Sequence, residues 1–203
     1  MSSPSGSSTR RYLKGEQTRD QILQTAKRLF TQKGYHNTSI YDLFEDARIT
    51  KGAFYHHWRT KEDLALTILD EIRNSYTQHY YPVLEQEMKA REKIETTLRK
   101  IEELHRNKDW SYCKLLATWS SELSPDQDEL GRTVHEIRTR WLAFWELLLH
   151  QAQEQGDLRK DIAPRDLSFV VTSAICGVYL MDKSEDESTI HGAMETLRKL
   201  LLT

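Results

Sequence analysis

The stretch that most constrains this chain is Thr38 to Leu64, TSIYDLFEDARITKGAFYHHWRTKEDL. Ile40, Leu43, Phe44 and Ala47 recur at i, i+3, i+4 and i+7, which is one apolar stripe of a short helix. Ser39 stands before it as an N-cap. A second short helix opens after Thr50, another capping residue, and turns Ala53, Phe54 and Trp58 inward. Thr60 begins a third, with Asp63 at capping-box spacing. Two helices joined by so short a turn must cross steeply. The second then presents a small cationic, hydrogen-bonding surface, the layout of a helix that reads DNA.

Charge agrees with that geometry. Residues 1–61 hold eleven Lys and Arg against five Asp and Glu, a net of +6. The other eighteen and twenty-six leave −8, so the overall −2 hides a basic head on an acidic body. The 38% hydrophobic and 30% charged content, with four prolines, eight glycines and few alternating runs, favours a soluble helical protein over strands. No apolar run is long enough for a membrane span, and the Ser-rich start is no secretory signal, which points to the cytoplasm. Two cysteines, Cys113 and Cys176, make no disulfide framework.

The stretch resembles the tetracycline-repressor (TetR) family signature: an acidic-apolar helix Ile40–Ala47, a turn at Arg48–Ile49, a recognition helix Thr50–Trp58, and Lys61–Leu64. One departure is Arg48, where family members carry glycine. Glycine there suggests a position favouring positive φ, so Arg48 either bears strain or grips a phosphate. The resemblance implies an all-α protein. Residues 1–15 are expected as a disordered arm, basic and DNA-following or simply frayed; residues 16–63 as the helix-turn-helix head; residues 64–203 as a helical ligand-binding and dimerisation body.

Reach assigns the DNA contacts. Lys51 bonds guanine edges or phosphate, Thr50 donates to either, and Gly52 and Ala53 allow close approach. Tyr55, His56, His57 and Lys61 resemble family positions on the backbone or flanking bases. Tyr41 lies on the outer face of the preceding helix. Thr38 and Ser39 offer hydroxyls and N–H groups at a helix start, as caps or as a phosphate anchor.

The body reads as further helices: Glu16–Lys33 before the motif, then Leu64–His79, Val83–Asn107, the aromatic segment Trp110–Leu123, Glu129–Gln155, Leu167–Met181 and Glu187–Leu202. Aromatics at helical spacing serve either as core or as the wall of an apolar pocket. A pocket, as the resemblance implies, takes Trp110, Cys113, Thr118, Trp119, His135, Trp145, Thr172 and Tyr179. Leu167–Met181, apolar nearly all round, must be covered on two sides. The dimer face is accordingly expected at Trp141, Leu148, Phe169, Val170, Ser173, Ala174 and Gly177.

The partners implied are an operator in double-stranded DNA, a small apolar or aromatic effector and a second copy of the chain, with no membrane. No cofactor and no metal site are expected: His56 and His57 are adjacent and face apart, and no phosphate loop, nucleophile elbow or Cys-x-x-Cys occurs. Two other readings remain. Tyr112-Cys113-Lys114-Leu115-Leu116 followed by Glu122-Leu123-Ser124 resembles a subgroup with electrophile-responsive members; Cys113 is either a thiol whose pKa Lys114 lowers or, the favoured reading, a small buried hydrophobe. A small helical enzyme that kept the head is the other.

Overall fold

A computed structural model describes residues 6–106, 111–181 and 187–202. Among the described residues there are nine α-helices, one short 3-10 helix and no strand. The chain divides into two compact units, Met1–Leu69 and Asp70–Thr203.

In the first unit, α1 spans Gly6–Lys33, α2 Ile40–Asp46 and α3 Lys51–His57, and α4, Lys61–His79, starts. Residues 6–15, expected to be disordered, continue α1 instead; residues 1–5 lie outside the described residues. Composition misled because a helix already nucleated over residues 16–33 adds further turns at the small cost of propagation. Ile22, Ala26 and Phe30 on α1, Leu43 on α2 and Phe54 on α3 are fully buried. Each of the larger side chains, Ile22, Phe30, Leu43 and Phe54, contributes about 1.5–3 kcal/mol. Gly34 ends α1 with φ of 87°, the left-handed turn a glycine makes without strain.

The second unit holds the end of α4, a 3-10 helix Tyr81–Glu85, α5 Ala90–Arg106, α6 Ser111–Glu122, α7 Glu129–Glu154, α8 Pro164–Met181 and α9 Glu187–Leu202. One long helix was expected over Val83–Asn107. Pro82 instead occupies the first turn of the 3-10 helix, and α5 starts only at Ala90. The α7 stripe points inward. Trp141 stacks on Phe144 at 5.1 Å and meets Trp145 edge-on, and Tyr76 and Tyr80 each lie 4.9 Å from Trp141. The Gln153 side-chain amide donates to the carbonyls of Arg159 and Ile162 at 2.8 Å each, fixing the α7–α8 connection. Glu102 of α5 accepts from Arg198 of α9 at 2.5 Å. No helix is long and apolar enough to cross a membrane among the described residues.

Two residues expected at the dimer face are interior. Trp141 is 4% exposed and Leu148 is fully buried. Period alone cannot tell a stripe facing its own core from one facing a partner. Phe169, Val170 and Ser173 do face outward, and Ala174 and Gly177 are half-buried.

Candidate functional site

The head is built to display α3. Ser39 caps α2 through a full capping box: its hydroxyl accepts from the Asp42 N–H at 3.1 Å, and its own N–H donates to Asp42 Oδ2 at 2.7 Å. The Ser39 hydroxyl also donates to Asp42 Oδ2 at 2.5 Å and Lys33 donates to Oδ1 at 3.0 Å; these bonds, the Ser39 one first, and then the Ser39 N–H hold the Asp42 carboxyl down at about 2. The α2–α3 turn is tied at both ends. The Gln21 amide donates to the Ala47 carbonyl at 2.7 Å, and the Ile49 N–H donates to Phe44 O at 3.0 Å. Between them Arg48 adopts φ of 50° with its side chain exposed. The position is the left-handed one that glycine favours.

Thr50 caps α3, its hydroxyl accepting from the Ala53 N–H at 3.2 Å, which leaves the O–H hydrogen to donate outward. Phe54 and Trp58 anchor the inner face, and the Trp58 indole donates to Thr67 Oγ1 at 2.9 Å. The outer face is left with Lys51, Gly52, Tyr55 and His56 exposed and Ala53 and His57 half-buried. Lys51 Nζ stands 5.8 Å from the centre of the Tyr55 ring. Burial first, then the neighbouring His56, lowers the His57 pKa, so that ring favours its neutral form. Tyr41 is 68% exposed on α2.

Two of the expected DNA contacts are engaged inside the protein. Thr38 is fully buried, its hydroxyl donating to Gly34 O at 2.7 Å, and its N–H donates to Tyr35 O. Lys61 donates to the carbonyls of Tyr35 and Thr38 and lies over the Tyr35 ring. Ser39 remains exposed, but its N–H is taken by Asp42. A hydroxyl or ammonium beside a helix start serves the fold as readily as a phosphate, and residue type does not distinguish the two.

In the second unit a cavity of about 190 Å³ opens among α4, α6, α7 and α8. Three helices each give it one face at helical spacing. Cys113, Leu116, Ala117 and Ser120 come from α6; Arg138, Trp141 and Leu142 from α7; Phe169, Thr172, Ser173 and Cys176 from α8; Tyr76 closes it from α4. Of the expected pocket residues, Cys113 and Thr172 line it. Trp119 and Trp145 are fully buried elsewhere in the core, and Thr118 bonds its own helix at Lys114 O. His135 is exposed, and Tyr179 is buried and does not line the cavity. Trp110 lies outside the described residues. The missed residues had a signal, since they repeat at i, i+3, i+4 and i+7 from Cys113 and from Phe169. Choosing residues by aromatic and polar type obscured that phase.

Both cysteines of the cavity are thiols rather than thiolates. Burial pushes Cys113 well above the usual range, and Cys176 is raised in the same way. Lys114, which the electrophile-sensing reading has lowering the Cys113 pKa, is not among the groups acting on it; desolvation dominates. No group of three or more His, Cys, Asp or Glu that could hold a metal ion occurs among the described residues.

A capped helix-turn-helix displaying a cationic reading helix, followed by a helical body with its own cavity, defines a DNA-binding regulator. The sequence profile of bacterial regulatory proteins of the tetR family matches residues 22–68. The transcriptional repressor DhaR of Mycobacterium sp. (strain GP1) is 25% identical over 168 residues, covering 82% of this chain and 83% of that protein. Among solved structures, a TetR-family regulator from Agrobacterium tumefaciens superposes with a TM-score of 0.76 at 18% identity, covering 93% of this chain and all of that one. AibR, crystallised with isovaleryl coenzyme A and operator DNA, gives 0.74 at 22% identity, covering 91% of this chain and 98% of that one. Residues 22–68 thus carry the tetR-family DNA-binding segment, and the chain as a whole is similar in sequence and fold to TetR-family transcriptional regulators.

Proposed function

We propose that the chain is a ligand-responsive transcriptional repressor that binds a near-palindromic operator as a homodimer and releases it when a small apolar or aromatic effector enters the body. The observation that carries this reading is the outer face of α3. Lys51, Thr50, Gly52, Ala53, Tyr55, His56 and His57 are held out by buried Phe54 and Trp58, with Tyr41 and Arg48 beside them. Lys51 and Thr50 reach base edges, while Tyr55, His56 and Arg48 serve the phosphates. The repressor name of DhaR and the operator complex of AibR support the reading.

A second copy is supported by apolar side chains left outside the body. Phe169, Val170, Leu180 and Met181 of α8 and Leu147 of α7 are each at least 42% exposed. Pairing of α7 and α8 with their copies covers them as a four-helix arrangement. Two reading heads then address half-sites a whole number of DNA turns apart. The bacterial cytoplasm is the compartment this role implies.

Coupling rests on α4. Lys61 at its start is bound into the head, and Tyr76, later in the same helix, lines the cavity of the second unit. An effector switches the protein only if it prefers the state that does not bind DNA. Sensing of electrophiles through Cys113 is the weaker reading, because a desolvated thiol is a poor nucleophile.

The test is a gel-shift titration against the promoter region of the chain's own gene. Lys51→Ala with Tyr55→Phe should abolish specific binding while circular dichroism and size-exclusion profiles stay unchanged. Undiminished specific affinity of that variant would remove the reading head from α3.

A further inference from the structure

The cavity of the second unit has a chemistry narrower than its apolar walls suggest. Its volume of about 190 Å³ is little more than the ~150 Å³ cavity that accepts benzene in an engineered core. It therefore suits one ring, or a branched chain of similar bulk, with one or two small substituents. Trp141, Leu142, Leu116 and Phe169 supply apolar contact to such a ring.

Two polar features then select among one-ring molecules. The Thr172 side chain lines the cavity and is only 9% exposed, yet its hydroxyl has no hydrogen-bond partner. A buried hydroxyl left unpaired is costly, so an oxygen or nitrogen on a bound molecule relieves it. Among the described lining residues Arg138 carries the only formal charge, since none of them is Asp or Glu and both thiols are protonated. It is exposed and bonds His135 Nδ1 at 3.3 Å through one nitrogen, while the guanidinium fork carries further N–H groups. A cation entering this cavity finds no carboxylate among the described lining residues and is repelled by Arg138, whereas a carboxylate meets a fork of matching geometry.

We infer that the effector is a compact monocarboxylate of about one-ring size, its apolar part against Trp141 and Phe169, its carboxylate at Arg138, and a polar atom within reach of Thr172 Oγ1. The inference rests on the effector-responsive reading and names the ligand class for it.

The experiment uses the full-length protein and paired probes: benzoate, phenylacetate and salicylate against benzamide, phenylacetamide and salicylamide. Isothermal titration and the fluorescence of the tryptophans read binding. The acids should bind saturably and their amides about five-fold or more weaker, and Arg138→Met should erase that preference, losing about five-fold for the acids alone. Thr172→Val should weaken the best acid by about five-fold, yet raise the melting temperature of the unliganded protein by about 2–4 °C, because the unpaired hydroxyl is gone. A purely structural Thr172 would move the two quantities together. Amides binding as tightly as acids, no binding by any acid, or an Arg138→Met protein with unchanged preference would each overturn the inference. Operator binding measured on the same preparations separates the two levels. Intact operator binding with no acid preference removes only the ligand class, whereas wild-type protein that binds no operator removes the regulator reading itself.

Discussion

The ammonium of Lys61 donates to the carbonyl of Tyr35 at 2.9 Å and lies 4.2 Å from the centre of the same residue's ring. A second hydrogen bond of 2.9 Å goes to the Thr38 carbonyl. One side chain of α4 therefore closes the loop between α1 and α2. Charged hydrogen bonds of this kind contribute about 1.5–3 kcal/mol. Lys61→Met should lower the melting temperature by several degrees. It should leave the salt dependence of operator binding unchanged, whereas loss of a phosphate contact would reduce the slope by about one. Measured slopes for the two proteins decide between a structural and a DNA-contacting lysine.

Arg48 offers the opposite sign. Its φ of 50° is a left-handed conformation that costs a side-chain-bearing residue roughly 1–2 kcal/mol. Glycine removes that strain but brings its own backbone entropy, so Arg48→Gly should stabilise the protein by about 0.5–1 kcal/mol. A rise of a few degrees in calorimetry is expected. A lower melting temperature would mean the guanidinium holds the turn in a way its exposure does not suggest.

The capping box of α2 should be visible in acid. The Asp42 carboxyl is held at about 2 against an ordinary 3.8, first by the Ser39 hydroxyl and then by Lys33. A depressed carboxyl stabilises the folded state fully above its ordinary value. That contribution fades as pH falls from about 4 through about 2. Carbon-detected NMR should show Asp42 titrating near the lower end of that window, and Asp42→Ala should remove the associated loss of head stability. A normal titration midpoint would show that the box does not persist in solution.

Cys113 should be a slow thiol. Burial raises its pKa, and only the hydrogen bond with Tyr76 acts the other way. In the folded protein at pH 8, iodoacetamide should modify Cys113 far more slowly than in urea, and saturating effector should slow it further. Rapid alkylation of the folded protein would revive the electrophile-sensing reading.

Helix after helix of this chain can be read from short-range pattern. Ser39, Thr50, Gly34 and Gly156 punctuate it, because capping and left-handed stops involve residues only a few positions apart. The Arg48 position was legible for the same reason: its φ belongs to the turn, and the family's glycine announces it. The outer face of α3 followed from which of its residues were needed inside.

Other features depended on neighbours far along the chain. Thr38 and Lys61 look like phosphate contacts until Gly34 and Tyr35 are placed beside them. Trp141 and Leu148 look like a dimer seam until the body closes over them. Whether Lys114 activates Cys113 is open in the sequence until packing places the thiol where desolvation dominates. The sequence by itself determined the helices, their caps and the reading head, since those follow from local backbone hydrogen bonding and a 3.6-residue period. Only the tertiary structure decided which apolar stripes meet, and so the cavity of Arg138, Thr172 and Trp141. Burial and desolvation there arise from three helices at once, and no single helix records them.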